Sequence, residues 1–106
     1  MACLDLEGRN SLVVGAGPVG LEKAAGLVEC GARVTVVAPR AVAGFDTLDV
    51  EWVAREYDPA DLDGQFLVIA ATSNEELNRR VFADAEARGL LCNVADVPEL
   101  CSFILP

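Results

Sequence analysis

NSLVVGAGPVGLEKAAGLVECG, residues 10–31, reads as a strand, a tight turn and a helix. Leu12 to Val14 is a short apolar run that enters the glycine turn Gly15-Ala16-Gly17-Pro18-Val19-Gly20. Each residue type in that turn suits a physical task. Gly15 tolerates the backbone angles of a sharp turn, Gly17 leaves room for a pyrophosphate to approach the main chain, and Gly20 lets the helix pack close to the strand. Pro18 fits the first helical turn, where its missing N–H has no intrahelical partner to lose. Free N–H groups and the positive end of the helix dipole then face the place where a phosphate sits. A glycine-rich βα turn that binds nothing remains the plain alternative. A strand before the turn and a helix after it favour dinucleotide binding.

Outward from this unit the chain alternates strands and helices, without repeat, linker or low-complexity tract. The helix is expected from Pro18 to Cys30, with Gly20, Ala24, Leu27 and Val28 on its sheet-facing side and Gly31 as its stop. Gly26 sits inside this helix at a cost of about 1 kcal/mol relative to alanine, so a close contact is expected to explain it. Leu4 to Leu6 either extends the first strand or leads into it. Arg33 to Ala38, RVTVVA, is a β-branched second strand that Pro39 ends. Ala41 to Leu48 reads as a weak helix or irregular crossover. Val50 to Ala54 has the partial alternation of an edge strand.

Asp58 to Gly64 is rich in turn formers, with room for one helical turn. Phe66 to Ala71, FLVIAA, is the most continuous apolar run and suits a buried parallel strand. Glu75 to Arg88 is the best-formed helix, with a Leu77, Val81, Ala85 stripe and Glu75/Arg79 and Glu76/Arg80 as i,i+4 pairs. Gly89 caps it, and Leu90 to Val94 is the fifth strand. The expected fold is α/β: one Rossmann-like domain over residues 1–106, a doubly wound parallel sheet of about five strands in the order 3-2-1-4-5.

Composition narrows the function classes. Eight basic and 17 acidic side chains leave a net charge of -9, which speaks against nucleic acid as a partner. No apolar run approaches the roughly 20 residues of a membrane span, and MACLDLEGRN lacks the basic head and apolar stretch of a signal peptide. Four cysteines, Cys3, Cys30, Cys92 and Cys101, form no CxxC pair, and histidine is absent. Structural zinc and a disulfide scaffold are therefore not expected, and a cytoplasmic setting is. Cys92 and Cys101 read as small core residues.

The topology directs attention to the carboxyl ends of the strands, near the switch point between the first and the fourth. An NAD site commonly places Asp or Glu about 20 residues past the glycines to hold the ribose hydroxyls. Between Cys30 and Phe45 this chain has no acid. Arg40 suits a 2'-phosphate or a solvated loop equally. Thr72 and Ser73 each begin an S/T-x-x-E pattern, through Glu75 and Glu76, so a capping box is the plain reading and a cofactor contact from Thr72 the functional one. Asp96, with Glu99 behind it, reads as an N-cap or as a general base at a strand end. Asn93 closes an apolar strand and suits loop backbone groups.

GAGPVGLEKAAGLVECGARVTVVAPR, DLDGQFLVIAATSNEELNRRV and CNVADVPELCSFILP together resemble the N-terminal NAD-binding domain of the siroheme synthase family, precorrin-2 dehydrogenase and sirohydrochlorin ferrochelatase. The opening LDLEGR shares the likeness, which covers nearly the whole chain. The family uses NAD while ending its second strand in V-A-P, which accounts for the missing acid. The resemblance implies oxidation of precorrin-2 to sirohydrochlorin with hydride transfer to NAD, followed in some members by iron insertion. Carried over, Gly15, Gly17, Pro18, Val19 and Gly20 form the pyrophosphate turn, Pro39 and Arg40 line the adenosine side, Thr72 lies near the nicotinamide, and Asp96 is the general base. No metal ligand is implied.

Two departures matter. Gly20 stands where the family often has alanine. The sequence stops at Pro106, whereas family members continue through another strand and a helical dimerisation region that completes the tetrapyrrole cleft. Phe103 to Leu105 then begins a strand cut short, and a homodimer is an assembly the resemblance leaves open. The substrate carries many carboxylates and this chain is at -9, so close contacts need cations that screening over about 8 Å does not replace. Two other readings stand beside this one. An NAD-sensing regulatory module, like those on potassium channels, usually ends its second strand with an acid, which Ala38-Pro39 lacks. A fragment of another dehydrogenase leaves CNVADVPELCSFILP unexplained.

Overall fold

In the computed structural model, which describes residues 6–95 and 97, β1 (Asn10–Val14) lies at the centre of a five-stranded sheet. The order is β3-β2-β1-β4-β5, with β2 at Arg33–Val37, β3 at Val50–Val53, β4 at Leu67–Ala70 and β5 at Leu91–Val94. All four neighbouring pairs are parallel, in the expected order 3-2-1-4-5.

The apolar runs form strands because both faces of the sheet are covered, so alternate side chains of one strand enter different cores. Along β1, Val13 packs with Ala24 and Leu27 of α1 (Pro18–Glu29), whereas Leu12 and Val14 pack with Val81 and Ala85 of α2 (Glu75–Ala87). In β4, Leu67 and Ile69 join the α1 side and Val68 and Ala70 the α2 side. The two helices thus cover opposite faces, and the free ends of β1 and β4 are left between them.

Gly20, Ala24 and Leu27 are buried on α1 and Val28 packs against the same core, as the spacing predicts. Gly31 ends the helix with φ of 79°. The contact expected at Gly26 is not found among the described residues: a Cβ there meets none of their atoms within 4 Å, so its helix cost has no packing return from them. The crossover at 41–48 contains one 3-10 turn, Phe45–Thr47, and not a helix; Phe45 alone of that turn is buried. A second 3-10 turn, Pro59–Leu62, is held by a reciprocal cap between Asp58 and Asp61, and Asp61 also pairs with Arg55. β3 is the half-exposed edge, with Trp52 45% exposed.

On α2, Glu75 and Arg79 approach to 3.7 Å as expected. Arg80 instead turns toward the Tyr57 ring, 5.7 Å from its centroid, and forms no ion pair with Glu76. Cys92 is a fully buried core residue, as read from the sequence. Cys30 departs from expectation: it is disulfide-bonded, with a partner outside the described residues. Leu4, Asp96 with its Glu99 cap, Cys101 and residues 103–105 also lie outside them.

Candidate functional site

The carboxyl ends of β1, β2 and β4 open into a cleft of about 960 Å³. Its edges are tied by strand-end hydrogen bonds: Gly15 N–H donates to Val37 O at 3.0 Å, Ala71 N–H to Val14 O at 2.8 Å, and Ala95 N–H to Ala70 O at 2.9 Å. Gly15, Gly17, Pro18, Val19, Pro39, Arg40 and Thr72 all line this cleft, which brings together residues from three separate sequence regions.

The three turn glycines have different reasons to be glycine. Gly15 has φ of 114°, and a Cβ there would lie 2.6 Å from the carbonyl oxygen of Ala71. The turn is therefore pressed against the end of β4. Gly20 brings α1 onto the turn itself, since its Cβ would stand 2.2 Å from Gly15 O. At Gly17 the reason is reversed: a Cβ meets no atom of the described residues within 4 Å, so a side chain there would occupy space they leave open.

That space lies at the start of α1, where the first-turn amides have no intrahelical acceptors. Gly17 is the N-cap and offers no side-chain cap, Pro18 follows, and the first turn carries no acid. The other helix starts differ. α2 is capped by the Asn74 side chain and has Glu75 and Glu76 in its first turn, and the Pro59 turn is capped by Asp58 with Asp61 behind it. In a chain of net charge -9, the start of α1 is thus left without a capping anion, whereas the start of α2 on the same cleft carries Glu76. Amide donors plus the dipole's positive end suit an external anion such as a phosphate.

At the opposite lip, the capping boxes expected from Thr72 and Ser73 are not formed. Asn74 is the N-cap, its Oδ1 accepting from Leu77 N–H at 3.1 Å. Thr72 is held one step earlier by Asn78, which is 8% exposed inside the α2 stripe. Asn78 Oδ1 accepts from Thr72 N–H at 3.1 Å and from its hydroxyl at 2.6 Å, while Nδ2 donates to Thr72 O at 2.9 Å. Thr72 Oγ1 also accepts from Asn74 N–H at 3.1 Å. Thr72 is consequently a cleft residue whose hydroxyl is already committed to the loop.

Glu56, Tyr57 and Arg80 are lining residues that the sequence reading did not place at the site. Tyr57 is 8% exposed and donates its hydroxyl to Asp84 Oδ2 at 2.8 Å. Burial first, then the Asp84 hydrogen bond and charge, push the phenol far above its ordinary value. It acts as a neutral wall and not as a base. Asn78 carried a readable signal, a polar residue inside an apolar helix stripe. The other three had none, because their relation to the turn exists only across the sheet. Asp96 lies outside the described residues.

A family model described as "Putative NAD(P)-binding" matches residues 2–106. Siroheme synthase 1 of Cronobacter sakazakii is 50% identical over 105 residues, which is 95% of this chain and 22% of that protein. Siroheme synthase of Ectopseudomonas mendocina is 47% identical over 107 residues, again 95% of this chain and 22% of the relative. The chain therefore spans about a fifth of the length of these relatives. Among solved structures, SirC, a precorrin-2 dehydrogenase, superposes with a TM-score of 0.78 at 28% identity, covering 100% of this chain and 51% of that one. The open, uncapped start of α1 and the match across residues 2–106 agree, and the chain belongs to the NAD(P)-binding family.

Proposed function

We propose that this chain is the NAD-holding part of a precorrin-2 dehydrogenase, which oxidises precorrin-2 to sirohydrochlorin. The observation that carries the proposal is the uncapped, acid-free start of α1 facing an open cleft, in a chain 50% identical to a siroheme synthase and superposable on a precorrin-2 dehydrogenase.

In this reading the amides of the Gly15 to Gly20 turn hold the pyrophosphate, Pro39 and Arg40 flank the adenosine, and Thr72 borders the nicotinamide. Bound NAD supplies the two-electron acceptor for a hydride. Asp96 takes the proton: one ring C–H leaves with its electron pair as hydride, a second hydrogen leaves as a proton to the carboxylate, and the electrons left behind form the new double bond. The chain is itself at -9, so the substrate carboxylates need local cations.

The test is a calorimetric titration with NAD. It is followed by mixing the chain with NAD and precorrin-2 while NADH and sirohydrochlorin absorbance are recorded, with Asp96→Ala in parallel. Binding heat together with turnover that Asp96→Ala abolishes supports every part. Binding without turnover keeps the cofactor role and denies this chain catalysis by itself. Turnover that survives Asp96→Ala removes that residue from the mechanism, and absence of binding heat overturns the proposal.

A further inference from the structure

The second strand ends in Val37-Ala38-Pro39-Arg40, with no acid to receive the hydroxyls of an adenosine ribose. The strand beside it supplies one. Val37 pairs with Val53, so Arg40 and Glu56 stand at equivalent distances past the ends of β2 and β3. Two bonds keep these ends together beyond the strands: Ala38 N–H donates to Val53 O at 3.2 Å, and Trp52 Nε1 donates to Ala38 O at 2.9 Å. Arg40 and Glu56 both line the cleft on this side.

Neither charge is used by the protein. Arg55, the cation next to Glu56 in sequence, donates to the main-chain carbonyl of Glu56 and commits its guanidinium to Asp61. That leaves the exposed Glu56 carboxylate with no hydrogen bond or ion pair among the described residues, and Arg40 is in the same state. They do not pair with each other either, although opposite charges this close in register commonly would. An unpaired acid and an unpaired cation thus share the end of the cleft where adenosine lies under the proposed function.

Resting on that reading, we infer that Glu56 selects NAD against its 2'-phosphorylated counterpart. A carboxylate accepts hydrogen bonds from ribose hydroxyls and repels a phosphate dianion in their place. Arg40 alone would favour the phosphate, as an arginine at this end does in NADP sites. Glu56 offsets it from the neighbouring strand, which is why the usual position can be empty of acid.

The experiment is calorimetric titration of the chain with NAD and with NADP, for the unaltered protein, Glu56→Gln, Glu56→Ala and Glu56→Gln/Arg40→Ala. Thermal unfolding of each checks the fold. The unaltered chain should favour NAD by about tenfold or more, the scale of a lost hydrogen bond to a charged group plus a repulsion. Glu56→Gln and Glu56→Ala should erase or reverse that preference, and adding Arg40→Ala should remove the gain in NADP affinity. An unchanged NAD-to-NADP ratio in folded Glu56 variants, or an unaltered chain that prefers NADP, overturns the inference while leaving cofactor binding intact. An unaltered chain that binds neither nucleotide overturns the proposed function as well, so the two failures are distinguishable.

Discussion

Asn78 grips Thr72 from both sides, its carboxamide oxygen on the Thr72 N–H at 3.1 Å and its nitrogen on the Thr72 carbonyl at 2.9 Å. This couples the second turn of α2 to the lip of the cleft. Because one amide group must accept and donate at once, no other side chain of similar size reproduces the clamp. Asn78→Ala should cost about 1–3 kcal/mol in chemical denaturation, since it also strands the part-buried Thr72 N–H. NAD affinity should fall with it. Asn78→Asp, which keeps both acceptor bonds and loses the donor, should fall between the two; an Asp variant as stable and as tight-binding as the original would show the clamp to be idle.

The turn glycines separate folding from binding. Gly15→Ala forces a side chain onto φ of 114° and into the Ala71 carbonyl, and should destabilise by about 2–4 kcal/mol or prevent folding. Gly17→Val enters open space at φ of -83°, an ordinary angle for any residue. Its stability cost should stay within about 1 kcal/mol, the scale of N-cap preference. NAD binding should nevertheless be lost in titration, because the valine fills the room beside the helix start.

Gly26 offers a gain. Its Cβ position is free, its angle is helical, and it lies inside α1, so Gly26→Ala should raise stability by about 0.5–1 kcal/mol through helix propensity and a less flexible unfolded chain. Equal denaturation midpoints for the two proteins would mean that some contact outside the described residues occupies that face.

Tyr57 is the single tyrosine of the chain, so tyrosinate absorbance reports it alone. Burial and Asp84 raise its folded value above the ordinary 10. The sign follows from linkage: a raised folded value gives stability that is complete below pH 10 and is lost as pH climbs above it, where the unfolded phenol ionises first. The folded chain should show no tyrosinate at pH 10, the urea-unfolded chain should be half ionised there, and Tyr57→Phe should flatten the alkaline decline in stability. A native titration midpoint at the unfolded value would remove the Asp84 contact from the account.

What the residues by themselves determined was the order and type of the elements. β-branched runs, the glycine turn and the i,i+4 stripe of α2 are local signals, and the strand order followed from alternation with a switch beside β1. The glycine turn was legible for the same reason, being contiguous from Gly15 to Gly20. Tertiary structure alone decided which groups meet across the cleft. S/T-x-x-E patterns at Thr72 and Ser73 promised caps, yet Asn74 took that place because Asn78 had already drawn Thr72 into the loop. Arg80 had an acid one turn away and went to the Tyr57 ring from another strand's end. Glu56 became a neighbour of Arg40 only through the pairing of Val37 with Val53. Local sequence sets backbone preference over a few residues, whereas these partnerships depend on loops brought together by burying both faces of one sheet.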